Sequence, residues 1–198
     1  MQIKTFSTEE EFISETLAFI AHAHPKTIAL SGGSTPLPLY KRMKIQAQLY
    51  QVDERYVPSD HPDSNYKMIT DAGLNLEHYF DTSLPIEECL TNYEKELPEQ
   101  FDLTILGIGP DGHIASIFPN TKLPEKNVAH SKTTNFAIED RLTLTFTPIL
   151  NSKKILILLK NKPEILKKLQ EPSSLNVDNF PASTILPHPN LTIHYLQS

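Results

Sequence analysis

The 198-residue chain is short of cysteine, of glycine, of long apolar runs and of positive charge, and each shortage excludes something. With Cys89 alone, no intrachain disulfide can form, which suits a reducing cytoplasm. Cys89 follows Glu87 and Glu88, which disfavour its thiolate, so it is expected to be a chemical bystander. No apolar stretch approaches the ~20 residues needed to span a bilayer. The run 155–159 (ILILL) is bounded by Lys153, Lys154 and Lys160 and suits only a buried strand. The opening MQIKTFSTEEEF turns acidic early and lacks the basic-then-apolar layout of a secretion signal, so the expected location is cytoplasmic, with no membrane partner. The net charge of −6 argues against broad nucleic-acid binding, which needs a basic face. A small anionic substrate remains admissible only where a few cations are gathered locally against the global field. His22, His24, His61, His78, His130, His188 and His194 stand in no metal-ligand spacing, so no metal site is expected.

What is present is ordinary for a globular protein: 39% hydrophobic and 21% charged residues, without repeats or low-complexity tracts. The length suits one domain over residues 1–198. Ser7-Thr8-Glu9-Glu10 reads as a capping box, and Phe12, Ile13, Thr16, Leu17, Phe19 and Ile20 continue it at helical spacing to about His24-Pro25. Strands are expected at 26–30 (KTIAL), 47–52, 101–106 (FDLTIL), 153–159 and 191–196. The stretch 141–146 (RLTLTF) alternates strictly and predicts a strand polar on one side. Helices are expected at 37–43, 66–72, 91–97 and 163–170, with a helix or single turn at 114–118. This alternation predicts an α/β fold with a mostly parallel sheet, whose ligands bind beyond the carboxyl ends of the strands.

Three chemically loaded segments follow predicted strands and should converge on that edge. In Ser31-Gly32-Gly33-Ser34-Thr35-Pro36, paired glycines let the backbone approach a ligand and hydroxyls can donate to phosphate or sugar oxygens; the plainer reading is a tight turn with Ser34 or Thr35 as helix cap. In Asp53-Glu54-Arg55, a permanent cation sits at a strand end with carboxylates to orient it, or forms a solvated ion pair. In ILGIGPDGHIASIF, Gly107, Gly109 and Gly112 fall within six residues beside His113. A helix N-terminus there would favour the neutral imidazole that a general base needs, and Asp111 would either bond the ring or cap the helix. Arg141 and Lys162 complete a possible cation cluster with Arg55, of the kind a phosphorylated substrate requires.

SGGSTP, VDERYVPSDHPDSNYKM, LGIGPDGHIASIFP and RLTLTF, in that order, closely resemble the 6-phosphogluconolactonase family from about residue 31 to 146 and more faintly beyond. The resemblance implies a modified Rossmann-like α/β domain, its mostly parallel sheet flanked by helices, shared with glucosamine-6-phosphate deaminases and ribose-5-phosphate isomerase. It implies hydrolysis of 6-phospho-D-glucono-1,5-lactone to 6-phosphogluconate in the oxidative pentose phosphate pathway, without metal or cofactor, by a monomer or small homo-oligomer. The family's base falls on His113, its aspartate partner on Asp111, and its D-E-R arginine on Arg55. Substrate binding falls on Ser31, Gly32, Gly33, Ser34, Thr35, Asp53, Gly109, Arg141 and Lys162. The family's G-x-x-K glycine is Leu159 here, and the segments around 44–46 and 74–88 are shorter than usual. The sister deaminases carry M-D-E-Y and D-G-H-I-A-F-N-E-P, where this chain has Arg55 for the tyrosine and SIFP for the ending. A non-catalytic sugar-phosphate sensor on this fold would have no need of His113.

Overall fold

The computed structural model describes residues 1–197. In chain order the elements are β1 (Gln2–Phe6), α1 (Glu9–Ala23), β2 (Thr27–Leu30), α2 (Leu37–Tyr40), β3 (Gln48–Gln51), β4 (Asp53–Arg55), α3 (Asn65–Asp71) and α4 (Ile86–Glu96). Then come β5 (Leu103–Leu106), β6 (Val128–Lys132), β7 (Asp140–Leu144), α5 (Phe146–Leu150), β8 (Ile155–Lys160), α6 (Pro163–Gln170) and β9 (Leu191–Leu196). Among the described residues no helix is long and apolar enough to cross a membrane.

Six strands form a parallel sheet in the order β1-β9-β8-β5-β2-β3, and β4-β7-β6 form a smaller antiparallel one. The middle of the large sheet is covered on both faces, which explains why β8 reads as an unbroken apolar run. Ile28, Leu30, Leu103, Ile105, Leu156 and Leu158 pack with Phe12, Ile13 and Ile20 of α1 and Leu39 and Tyr40 of α2. The alternate residues, Ala29, Leu106, Ile155, Ile157, Leu159 and Ile193, pack with Tyr93 of α4, Ile165 of α6 and Leu142 and Leu144 of the small sheet. From β2 the chain moves outward to β3, whereas from β5 it moves the other way to β8 and β9. The loops leaving the adjacent strands β2 and β5 therefore part at a topological switch point, where α/β sheets bind ligands.

The expected strands and helices of the large sheet are present, with several corrections. The N-cap of α1 is Thr8, one residue beyond the expected start, and its hydroxyl accepts from the Glu11 N–H. α2 stops at Tyr40 and α4 begins at Ile86, five residues before the expected Thr91. β1 and β6 give no sequence signal: β1 buries only Phe6 and is held as an edge strand by β9. Asp53–Arg55, which reads as a loop, pairs with β7. β7 is polar on one side, as expected, and that side is covered: Arg141 and Thr143 are buried, and Thr143 Oγ1 accepts the Ser116 N–H. No helix follows His113; residues 114–118 form a turn with Ala115 at φ +50° and a bridge between Ile114 and Ile117. Cys89 is buried on α4, and that burial, followed by the charges of Asp81 and Glu54 rather than those of Glu87 and Glu88, pushes the thiol up to about 12.

Candidate active site

The two glycine loops, the β4 strand and the ends of β7 and β8 enclose a cleft of about 390 Å³. Ser31, Gly32, Gly33, Ser34, Thr35, Asp53, Arg55, Gly109, His113, Arg141 and Lys162 all line it. Asp111 does not; it lies behind the His113 ring and holds it.

The first loop is pinned at its start. The Ser31 N–H donates to Ile105 O on β5, and the buried Tyr40 hydroxyl donates to Ser31 O. Gly33 has φ +107°, which favours glycine. The N-cap of α2 is Pro36, with no side-chain capping bond, so neither Ser34 nor Thr35 serves as the helix cap. With four residues, α2 also supplies little dipole, so the polar character of this loop lies in its own N–H and hydroxyl groups.

Glu54 organises the second segment. Its buried carboxylate accepts from the N–H groups of Arg55, Asn65 and Tyr66, from Gln51 Nε2 and from Ser64 Oγ. Burial raises its pKa, and these donors oppose the rise. The guanidinium of Arg55 is oriented by neither carboxylate of its triplet: Nη1 donates to Asp63 O at 2.7 Å. Asp53 instead accepts from Ser116 Oγ at 2.7 Å, which ties β4 to the turn after His113. Asn65 Nδ2 donates to Asp53 O, and its Oδ1 sits where a Cβ on Gly32 would be.

The third loop closes on itself through Gly112 N–H to Gly109 O and Gly109 N–H to His113 O, at 3.0 and 2.9 Å. Gly112 has φ +84°, and a Cβ there would strike Phe180. Gly109 is required for a different reason: its Cβ would lie 2.0 Å from His113 Cε1. Asp111 Oδ1 accepts from the His113 N–H at 3.2 Å and pairs with Nδ1 at 2.5 Å. A carboxylate at Nδ1 puts a ring proton there, so in the neutral ring the lone pair is on Nε2. No helix follows His113 to supply the expected dipole or to need a cap, so Asp111 serves the ring.

The cations come from three elements. Arg141 on β7 is directly opposite Arg55 on β4. Burial lowers the Arg141 pKa, and neighbouring Arg55 lowers it further. Its Nε donates to Ile138 O at 3.0 Å. Lys162, the residue before α6, donates from Nζ to Ile108 O at 2.5 Å; burial lowers its pKa and Asp111 opposes that. Leu159, in place of the family's glycine, is a buried strand residue, and the lysine still reaches the cleft. Among the described residues, Ser31 Oγ, Asn65 Oδ1 and Asp111 Oδ2 are buried without a hydrogen-bond partner. Among the described residues no group of three or more His, Cys, Asp or Glu side chains could hold a metal ion.

Asn65, Ser116, Phe118 and Phe136 also line the cleft and were not singled out from the sequence. Asn65 lies within the SNY of a quoted motif, whereas Phe136 sits in the 133–139 loop, which carries no signal.

Residues 6–193 match the family described as glucosamine-6-phosphate isomerases/6-phosphogluconolactonase. The chain is 33% identical to a probable 6-phosphogluconolactonase of Dictyostelium discoideum, covering 94% of each. It is 38% identical to the 6-phosphogluconolactonase of Thermotoga maritima, covering 70% of each. The crystal structure of that bacterial enzyme superposes with a TM-score of 0.84 at 29% identity, over 100% of this chain and 99% of the other. A cleft at the switch point, a histidine held in one tautomer and a match over nearly the whole length agree: the chain belongs to the glucosamine-6-phosphate isomerase/6-phosphogluconolactonase family.

Proposed function

We propose that the chain hydrolyses 6-phospho-D-glucono-1,5-lactone to 6-phosphogluconate, with His113 as the general base. The observation that carries this reading is a histidine held at Nδ1 by Asp111, in a cleft that also gathers Arg55, Arg141 and Lys162 within an acidic protein. Arg141 and Lys162 grip the phosphate, and the loop of Ser31, Gly32, Gly33, Ser34 and Thr35 supports the ring oxygens. His113 Nε2 takes a proton from water as the water oxygen bonds to C1. The carbonyl oxygen becomes the tetrahedral oxyanion, steadied by Arg55 or by loop N–H groups. Collapse breaks the bond from C1 to the ring oxygen, which leaves with the proton held on the imidazolium, and the carboxylic acid so formed releases its own proton to solvent to give the carboxylate. The expected compartment is the cytoplasm, and the working unit a monomer or small homo-oligomer.

A deaminase reading is disfavoured at a specific position. Where the deaminase pattern places its glutamate, this chain has Phe118, buried and tilted against the His113 ring at 4.9 Å. An apolar ring thus stands where that pattern has a carboxylate.

Loss of freshly generated 6-phosphogluconolactone is to be followed beside glucosamine 6-phosphate deamination. Activity in the first assay alone is expected, and activity in the second alone would overturn the reading. His113→Ala should cut kcat by about 10²–10⁴-fold with KM largely kept, and near-normal turnover would remove His113 as the base.

A further inference from the structure

We propose that Phe136 is a positioning residue, the wall that fixes the His113 ring in its working orientation; this rests on the lactonase reading above. Among the described residues Phe136 is one of three exposed large apolar side chains, at 39% exposure. The other two, Met1 and Val177, do not line the cleft. Phe136 stands edge-on to the His113 ring, with centroids 5.6 Å apart and planes at 85°. It also meets Phe118 at 5.9 Å and lies beneath the Arg141 guanidinium, 5.6 Å from its centroid.

The loop presenting it is anchored. Thr133 N–H donates to Glu139 O, Asn135 N–H to Thr133 Oγ1, and Arg141 Nε to Ile138 O. An aromatic side chain left 39% exposed by a tied-down loop is accounted for by what it touches.

The ring of His113 needs such a wall. Asp111 holds one nitrogen, and a ring held at one nitrogen can still swing about its side-chain torsions. Gly109 lies against the ring, and buried Phe118 tilts against it at 4.9 Å. Phe136, far more exposed than Phe118, closes the remaining, solvent side. Arg141 does not depend on Phe136 in the same way, because its Nε is separately bonded to Ile138 O. Removing the aromatic ring should therefore disturb the base more than phosphate binding.

The test compares wild type, Phe136→Ala and Phe136→Tyr in the lactonase assay, with the mobility of the His113 ring measured by ¹³C relaxation at Cε1. Phe136→Ala should lower kcat about tenfold, change KM less than threefold and make the ring more mobile. Phe136→Tyr should restore both kcat and ring rigidity. Unchanged kcat in Phe136→Ala, or lower kcat with an equally rigid ring, would overturn the proposal. A wild type without lactonase activity would refute the functional reading instead, and ring mobility would still decide the role of Phe136.

Discussion

Gly109→Ala tests whether glycine is required beside the base. The added Cβ would lie 2.0 Å from His113 Cε1, 2.2 Å from Nδ1 and 2.6 Å from Nε2. Ordinary contact is about 3.5–4.0 Å, so ring or loop must give way by roughly 1.5 Å. The ring has little room: retreat stretches its 2.5 Å bond to Asp111 or presses on Phe118. Misplacing a catalytic group by ~1 Å costs on the order of 10²-fold in rate, or about 2.7 kcal/mol in the barrier. Gly109 is not in the left-handed region, so the expected cost to folding is that of local overpacking, about 1–3 kcal/mol. Steady-state kinetics should show kcat reduced about 10²-fold with KM nearly unchanged. Gly107→Ala is the control, because a Cβ there meets nothing within 4 Å. A Gly109→Ala enzyme with kcat within threefold of wild type would refute the claim that this glycine makes room for the histidine.

Asp111→Asn replaces the acceptor that holds the Nδ1 proton, and kcat should fall about 10²–10⁴-fold with the fold intact; full activity would show that another group sets the tautomer. Arg141→Ala should raise KM for the phosphorylated lactone roughly 10–100-fold, and an unchanged KM would reject its role as a phosphate ligand. Stability should depend on pH through His194, which is fully buried and whose pKa is lowered to about 4, by burial first and then by Lys4. Its Nδ1 is 2.8 Å from Thr16 Oγ1, whose own proton goes to Phe12 O, so the ring is held neutral with Nε2 unpartnered. Between its ordinary value near 6.5 and about 4 the unfolded chain binds a proton that the native state refuses. Stability is therefore retained above pH 6.5 and falls as the pH drops, by up to about 1.4 kcal/mol per unit and roughly 3 kcal/mol in all. Urea unfolding of wild type and His194→Gln at pH 7, 5.5 and 4.5 checks this; equal slopes would remove His194 as the cause.

Legibility followed burial pattern. The strands β2, β3, β5, β8 and β9 of the large sheet and α6 announce themselves because each is covered by a core and carries the matching periodicity. β1 is mostly exposed along its length and exists because β9 offers a parallel partner, so QIKTF carries no periodic signal. Asp53-Glu54-Arg55 reads as a charged loop because its strand character comes from β7, and its carboxylates look solvated because the donors around Glu54 come mostly from residues 64–66. The apolar run 114–118 suggested a helix or single helical turn after His113, but the Ala115 backbone and the bond from Ser116 to Asp53 build a non-helical turn instead.

The sequence by itself determined the α/β class, the order of the loaded loops and the identities of the histidine, aspartate and cations, because these follow from local periodicity and from ordered motifs. The tertiary structure alone decided which partner each group has. It gave Arg55 to Asp63, Asp53 to Ser116 and the Nδ1 proton of His113 to Asp111, and it laid Phe136 against the His113 ring. Several of these contacts join residues distant in sequence, and all depend on how the loops close. They exist only once the crossing of the chain at β2 and β5 has brought the loops to one cleft.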